Sequence, residues 1–272
     1  MDHRLQLRVQ RYGWDRASEL YDRAWSRHLE PAQDLLLEMA GPAGGERILE
    51  VACGSGLATV EAAQRVGPSG EVVATDLSEG MIEQAREAIL VEELSNVSFH
   101  RMDAQSLDFP DASFDAALCA LGLMYVPDPG AALRETMRVL RPGGRAVAAV
   151  WGERKRCGWA EIFPIVDACV ETEVCPLFFQ LGTGNSLRNE MESAGFRGVE
   201  TRRLSTTLHF TSAEDVLEAS FVAGPVAMAH SRFDDATRRR VYAEYLDSID
   251  QYANGDGYSI PGEFVVVRGE VE

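Results

Sequence analysis

Residues 48–59, ILEVACGSGLAT, constrain this chain more than any other stretch. An apolar run enters a Gly-Ser-Gly turn, and helix-forming residues follow it. Gly54 and Gly56 carry no Cβ, so the backbone can turn sharply there and come close to a ligand. The first N–H groups of the next helix have no intrahelical acceptor and can bind an electronegative group. A strand that passes into a helix through such a turn points to a parallel sheet with a crevice at its strand ends.

The rest of the first half repeats the unit. Short apolar runs at 47–52, 71–75, 97–101, 116–120 and 145–151 read as strands. Helical stretches at 59–66, 79–94 and 131–140 separate most of them, the last ending at Arg141-Pro142-Gly143-Gly144. Strands alternating with helices predict an α/β fold, a mostly parallel sheet covered on both faces. Later stretches read as a helix over 187–194 closed by Gly195, a sixth strand over 199–208, helices over 213–222 and 235–253, and a last strand over 263–271. Residues 1–40 read as mostly helical and rich in aromatic residues (Tyr12, Trp14, Tyr21, Trp25), with Pro31 opening a separate second helix.

Several residues fall at the expected crevice. Ala52 and Cys53 lie in the glycine turn, and Asp76 ends the second strand, 20 residues after Gly56. That spacing suits a carboxylate accepting hydrogen bonds from both hydroxyls of a ribose. Leu77 follows it, and Met81 offers a thioether to an adenine face. Asp103 and Ala104 follow the third strand, where Asp103 can accept from an adenine amino group. Cys119 opens the loop after the fourth strand. Together these point to a cofactor containing adenosine. A full dinucleotide fingerprint would put a third glycine where Thr59 stands, and no lysine of a phosphate loop follows the glycines. Both departures disfavour NAD and ATP.

Composition narrows the partners. With 26 Lys plus Arg against 43 Asp plus Glu, the formal net charge is -17, which argues against nucleic acid and anionic membranes as partners. No run approaches the roughly 20 apolar residues of a membrane helix, and residues 1–14 lack a secretory apolar core. The five cysteines form neither CxxC pairs nor a disulfide framework, which fits free thiols and a cytoplasmic location. Cys169 and Cys175 can meet, but a metal pair there is disfavoured, and His3, His100 and His230 show no ligand spacing.

The motifs ILEVACGSGLAT, VVATDLSEGMI, RMDAQSLDFPDASFDAALCALGLMYVPDP and LRETMRVLRPGGRAV resemble those of class I methyltransferases that use S-adenosylmethionine (SAM), especially the small-molecule branch typified by ubiquinone and menaquinone biosynthesis. The motif-bearing resemblance covers about 21–151. It implies a Rossmann-like, seven-stranded, mostly parallel sheet with one antiparallel terminal strand and helical cap elements. It also implies that Glu50 approaches the methionine amino group of SAM, and that Gly54, Gly56, Asp76, Met81 and Asp103 hold the rest. On that basis 1–40 is a helical lid segment, 41–208 the SAM-binding core, 209–262 a helical cap and 263–272 the final core strand.

The resemblance further implies methyl transfer from SAM to a small planar or hydrophobic metabolite, on oxygen or carbon, leaving S-adenosylhomocysteine (SAH). Tyr21, in ELYDRAW, matches a family tyrosine near SAM. His28 and His209 are candidate general bases for a hydroxyl acceptor. No metal is expected, and monomer and homodimer both stay open. Two other readings remain: a SAM-binding regulator without catalysis, and an NAD-dependent oxidoreductase.

Overall fold

The computed structural model describes residues 3–170 and 178–272. Cys175, one half of the cysteine pair considered above, lies outside them. Strands β1 (Arg47–Val51), β2 (Glu71–Asp76), β3 (Val97–Arg101), β4 (Phe114–Ala120) and β5 (Leu140–Trp151) run parallel. Beyond them lie β6 (Arg197–Phe210), the two-residue β7 (Ala253–Asn254) and β8 (Gly257–Glu270). The path is β3-β2-β1-β4-β5-β8-β6, with β8 antiparallel to both β5 and β6 and β7 paired to β8 beside it. This is the expected Rossmann-like seven-stranded path with one reversed strand, and β7 adds a short hairpin.

Local sequence explains the layers. Ile48, Leu49 and Val51 of β1 are buried between neighbours on both sides, as a central parallel strand requires. Helices α2 (Leu57–Val66), α3 (Glu79–Val91), α4 (Pro129–Val139), α5 (Ile162–Asp167) and α6 (Ser186–Ala194) connect or flank the strands. Ser78 caps α3 by accepting from Met81 N–H, and Asp128 caps α4 by accepting from Ala131 N–H. Edge strand β6 keeps exposed Arg197, Glu200, Arg202 and Arg203 or their neighbours toward solvent, charges that discourage pairing with another chain.

Three expectations need correction. Residues 3–40 form one helix, α1 (His3–Ala40), that continues through Pro31. A proline inside a helix costs about 3 kcal/mol. Trp25, Leu29, Leu36 and Leu37 lie buried on either side of it, and each such burial contributes about 1.5–3 kcal/mol, so packing wins over the local break. The Arg141-Pro142-Gly143-Gly144 stretch falls within β5 rather than before it, and the register to β4 shifts there between Phe114 and Ala116. Finally, β6 and β8 pair along nearly their whole length, from Arg197↔Glu270 to Phe210↔Tyr258, so both run past the ends the periodicity suggests.

Between β6 and β7 the chain forms α7 (Ala213–Leu217), a π-helical turn at Glu218–Val222, α8 (Ala227–His230) and α9 (Asp235–Ile249). Tyr245 and Phe221 are fully buried in this layer, with Tyr245 Oη accepting from Ser220 Oγ at 3.0 Å. Among the described residues no helix is long and apolar enough to cross a membrane.

Candidate active site

The connections from β1 and β4 leave adjacent strands in opposite directions, which opens a crevice at their C-terminal ends. A cleft with about 940 Å³ of open space lies there, lined by the glycine turn, the ends of β2 and β3, the loop after β4, and α1. Two non-glycine residues on its wall, Ala52 (φ 56) and Leu121 (φ 63), hold the left-handed conformation. Such backbone costs on the order of 1–2 kcal/mol per residue and is kept only where surroundings enforce it. No periodicity signals it.

Glu50 is the centre of the polar chemistry. It sits on β1, fully buried, at the wall of the cleft. Oε2 accepts from Thr59 Oγ1 at 2.6 Å, while Oε1 has no partner among the described residues. Burial pushes its pKa up to about 8, the Thr59 hydroxyl opposes that rise, and the Asp76 charge adds to it. A buried carboxylate oxygen without a donor fits a cationic ligand group, which would restore its charge and fill its lone pairs.

Asp76, at the end of β2, accepts from Gly54 N–H at 2.9 Å and from Ser78 N–H at 2.8 Å. It thereby clamps the glycine turn to the start of α3, with lone pairs left for a ligand's hydroxyls. Burial raises its pKa, and those two N–H bonds pull against the rise. Gly54 (φ 56) opens to free space on its Cβ side, so a ligand can approach its backbone.

Cys53, Leu77, Met81, Asp103 and Ala104 also line the cleft, as do Ala52 and Gly54. Asp103 holds Gln105 through its backbone N–H at 2.9 Å and its side-chain amide. Gly56 and Cys119 do not line the cleft. A Cβ on Gly56 (φ 90) would lie 3.0 Å from Ala85 Cβ, so its role is to let α2 start against α3. Cys119 faces an apolar layer with Leu133 and Met191 instead, and burial pushes its thiol up to about 12. Burial likewise raises the Cys53 thiol, which makes it a poor nucleophile.

Tyr21 lines the cleft and a second, aromatic cavity that adjoins it. Burial, then the charges of Asp22 and Asp76, raise its hydroxyl pKa, so it stays protonated. The two candidate bases lie elsewhere. His28 packs 4.6 Å from Phe210 and 6.1 Å from Trp25, and burial lowers its pKa to about 4. His209 is exposed and meets Ser259 Oγ at 3.2 Å. Neither lines the cleft or the cavity, because the helix and edge strand that carry them turn these side chains toward each other's neighbourhood. Tyr12 is exposed, whereas Trp14 lines both spaces.

Sequence reading missed the polar ties between α1 and the motifs. Asp15 accepts from Ser78 Oγ at 2.6 Å and from Gly80 N–H at 3.2 Å, and Asp22 accepts from Ser55 Oγ. Gln10 and Leu7, one and two turns before Trp14, also reach the cleft. The only available signal was a helix facing motifs far along the chain, which spacing alone does not reveal.

A family model described as a methyltransferase domain matches residues 48–144, the stretch from β1 into β5. Residues 48–144 thus carry the pattern of a methyltransferase domain. The chain is 43% identical over 110 residues to a ubiquinone/menaquinone biosynthesis C-methyltransferase of Pseudomonas paraeruginosa, covering 40% of this chain and 43% of that protein. It is 36% identical over 132 residues to an aklanonic acid methyltransferase of a Streptomyces species, covering 48% of this chain and 60% of that one. The chain thus spans about half the length of the curated relatives it matches. In three dimensions the fold extends further around the methyltransferase domain. A solved protein from Bacillus halodurans C-125 superposes with a TM-score of 0.62 at 21% identity, over 88% of this chain and 98% of that one.

Proposed function

We propose that this chain transfers the methyl group of SAM to a small planar or hydrophobic metabolite, leaving SAH. The observation that carries this reading is the buried Glu50 Oε1, without a donor among the described residues, in the wall of a cleft that Asp76 also lines. An amino acid ammonium beside Glu50 and a ribose diol beside Asp76 satisfy both acids. Met81 and Asp103 then flank the adenine, and Ala52, Cys53, Leu77 and Ala104 supply close apolar and backbone contact.

SAM, when bound, supplies an electrophilic methyl on sulfur. What this chain contributes is alignment and exclusion of water, which lower the entropic part of the barrier. Trp14 and Tyr21 of α1 close one side of the space beside the cleft, and Gly224 and Pro225 of the 209–262 segment close another. We therefore assign α1 and that segment as the lid and cap over a 41–208 core.

Among the described residues, no Asp, Glu, His, Lys or Arg lines the aromatic cavity. Methyl transfer to a nucleophilic carbon suits such a wall: the acceptor's electron pair forms the new bond, the carbon–sulfur bond breaks, and the acceptor's proton leaves to water afterwards. Two relatives act by name in ubiquinone/menaquinone biosynthesis and on aklanonic acid, and metabolites of those kinds are the first acceptors to try.

Calorimetric titration with SAH and with NAD tests the cofactor, and release of SAH from SAM in the presence of hydroxynaphthalene acceptors tests the reaction. Binding of SAH but not NAD, with acceptor-dependent SAH release, is the expected result. Selective NAD binding overturns the reading, and SAH binding without turnover of any acceptor points to a regulator.

A further inference from the structure

All four tryptophans of this chain, at positions 14, 25, 151 and 159, line the aromatic cavity beside the cleft. The cavity is narrow, its roughly 310 Å³ of space between the walls being partly open to solvent, and it shares Trp14, Tyr21 and Tyr125 with the cleft wall, so a molecule that enters between these rings lies next to whatever the cleft binds. Its rings brace one another edge to face. Trp151 and Trp159 stand 4.9 Å apart, and Trp159 and Phe178 stand 5.5 Å apart at 90°.

The indole N–H groups differ. Trp14 Nε1 donates to Gln10 Oε1 at 3.2 Å, and Trp25 Nε1 donates to the Ala219 carbonyl at 3.1 Å. Trp159 Nε1 is buried in a residue only 3% exposed and has no acceptor among the described residues. An unmet buried donor is unfavourable, and this one stands in a residue that lines a cavity. The surrounding rings hold the indole in one orientation, so this donor is fixed before any ligand arrives.

Resting on the methyl-transfer reading of the cleft, we propose that Trp159 selects and orients the acceptor through its indole N–H, and that the acceptor is a flat, uncharged ring system with a hydroxyl or carbonyl oxygen at its edge. The ring stacks among tryptophan, tyrosine and phenylalanine faces. The oxygen accepts from Trp159 Nε1 and fixes the ring's rotation, which decides the atom presented to the methyl group. A charged acceptor finds no counter-charge in this wall and loses its hydration on entry. An oxygen-free ring of the same shape leaves the N–H unmet, and sites built to donate to a ligand oxygen discriminate on that basis.

The test uses the full chain loaded with SAH, titrated calorimetrically with 1-naphthol and with naphthalene, in wild type and Trp159→Phe. Phenylalanine keeps an aromatic ring, removes the donor and trims the ring's bulk, and naphthalene reads the effect of the lost bulk alone. The expected result is a loss of about ten-fold in 1-naphthol affinity in the variant, with SAH and naphthalene affinities changed by less than about two-fold. Equal loss for both rings marks a packing role and overturns the proposal, as does no loss for either or failure of the SAH-loaded wild type to take up 1-naphthol. If the wild type does not bind SAH at all, the methyl-transfer reading itself fails, and that outcome is separate from the others.

Discussion

Glu50 illustrates how a single residue joins sequence, burial and chemistry. Its place in ILEVACGSG is legible in the sequence, but its state is not, because the pKa depends on neighbours brought in by β2 and α2. The unfolded carboxyl titrates near its ordinary value of 4.5, while the folded one is held up at about 8. Between those values the folded chain binds more protons than the unfolded chain, so Glu50 lowers stability as pH rises through that window. Chemical denaturation of the ligand-free protein should show wild type losing stability relative to Glu50→Gln between pH 5 and pH 8. A parallel trend in both proteins would remove this account. An ammonium beside Oε1 stabilises the ionised form, so SAH binding at pH 7 should release a proton. Calorimetry in two buffers of different ionisation enthalpy reads that release directly, and Glu50→Gln should abolish it.

At the scale of elements, the contact between α1 and α3 is set by one missing side chain. A Cβ on Gly80 would come within 2.8 Å of Ser18 Oγ and 3.3 Å of Asp15 Cα, at the point where Asp15 accepts from Ser78 and Gly80. Gly80→Ala should therefore push the first half of α1 off the cleft while leaving β1 to β5 intact. Hydrogen exchange of residues 3–24 should quicken by about ten-fold or more, corresponding to a local loss on the order of 1–2 kcal/mol. Unchanged protection there, with the same cofactor affinity, would show that α1 does not depend on this contact. The helix itself was readable from its apolar and aromatic periodicity. Its passage through Pro31 was not, because the packing of Trp25, Leu29 and Leu36 that overrides the break belongs to partners distant in sequence.

For the whole molecule, α1 and the sheet wall both spaces and Gly224 and Pro225 of the 209–262 segment wall the aromatic cavity beside the cleft, so a ligand at the switch point bears on all three. A ligand present at a hundred times its Kd stabilises the folded state by about 2.7 kcal/mol. For a chain of this size that predicts a rise in Tm of roughly 5–10 °C with saturating SAH. NAD at the same concentration should give none. A differential scanning measurement distinguishes these outcomes, and an equal rise with NAD would count against the assignment of the cleft.

Glu50 was pointed to only by the family resemblance, whereas the α/β alternation, the glycine turn and the positions of Asp76 and Asp103 were legible in the sequence itself. Each depends on local periodicity or on spacing along adjacent units of one repeating pattern. The tertiary structure alone decided which side chains meet across long separations. It left His28 and His209 off the walls of the cleft, set Cys119 against an apolar layer, and used Gly56 for helix packing. It also gathered Trp14 and Trp25 from α1 with Trp151 and Trp159 from the far end of β5 and beyond. Burial and orphaned hydrogen-bonding groups are properties of such long-range packing. A donor such as Trp159 Nε1 becomes distinctive only after every possible partner has been placed.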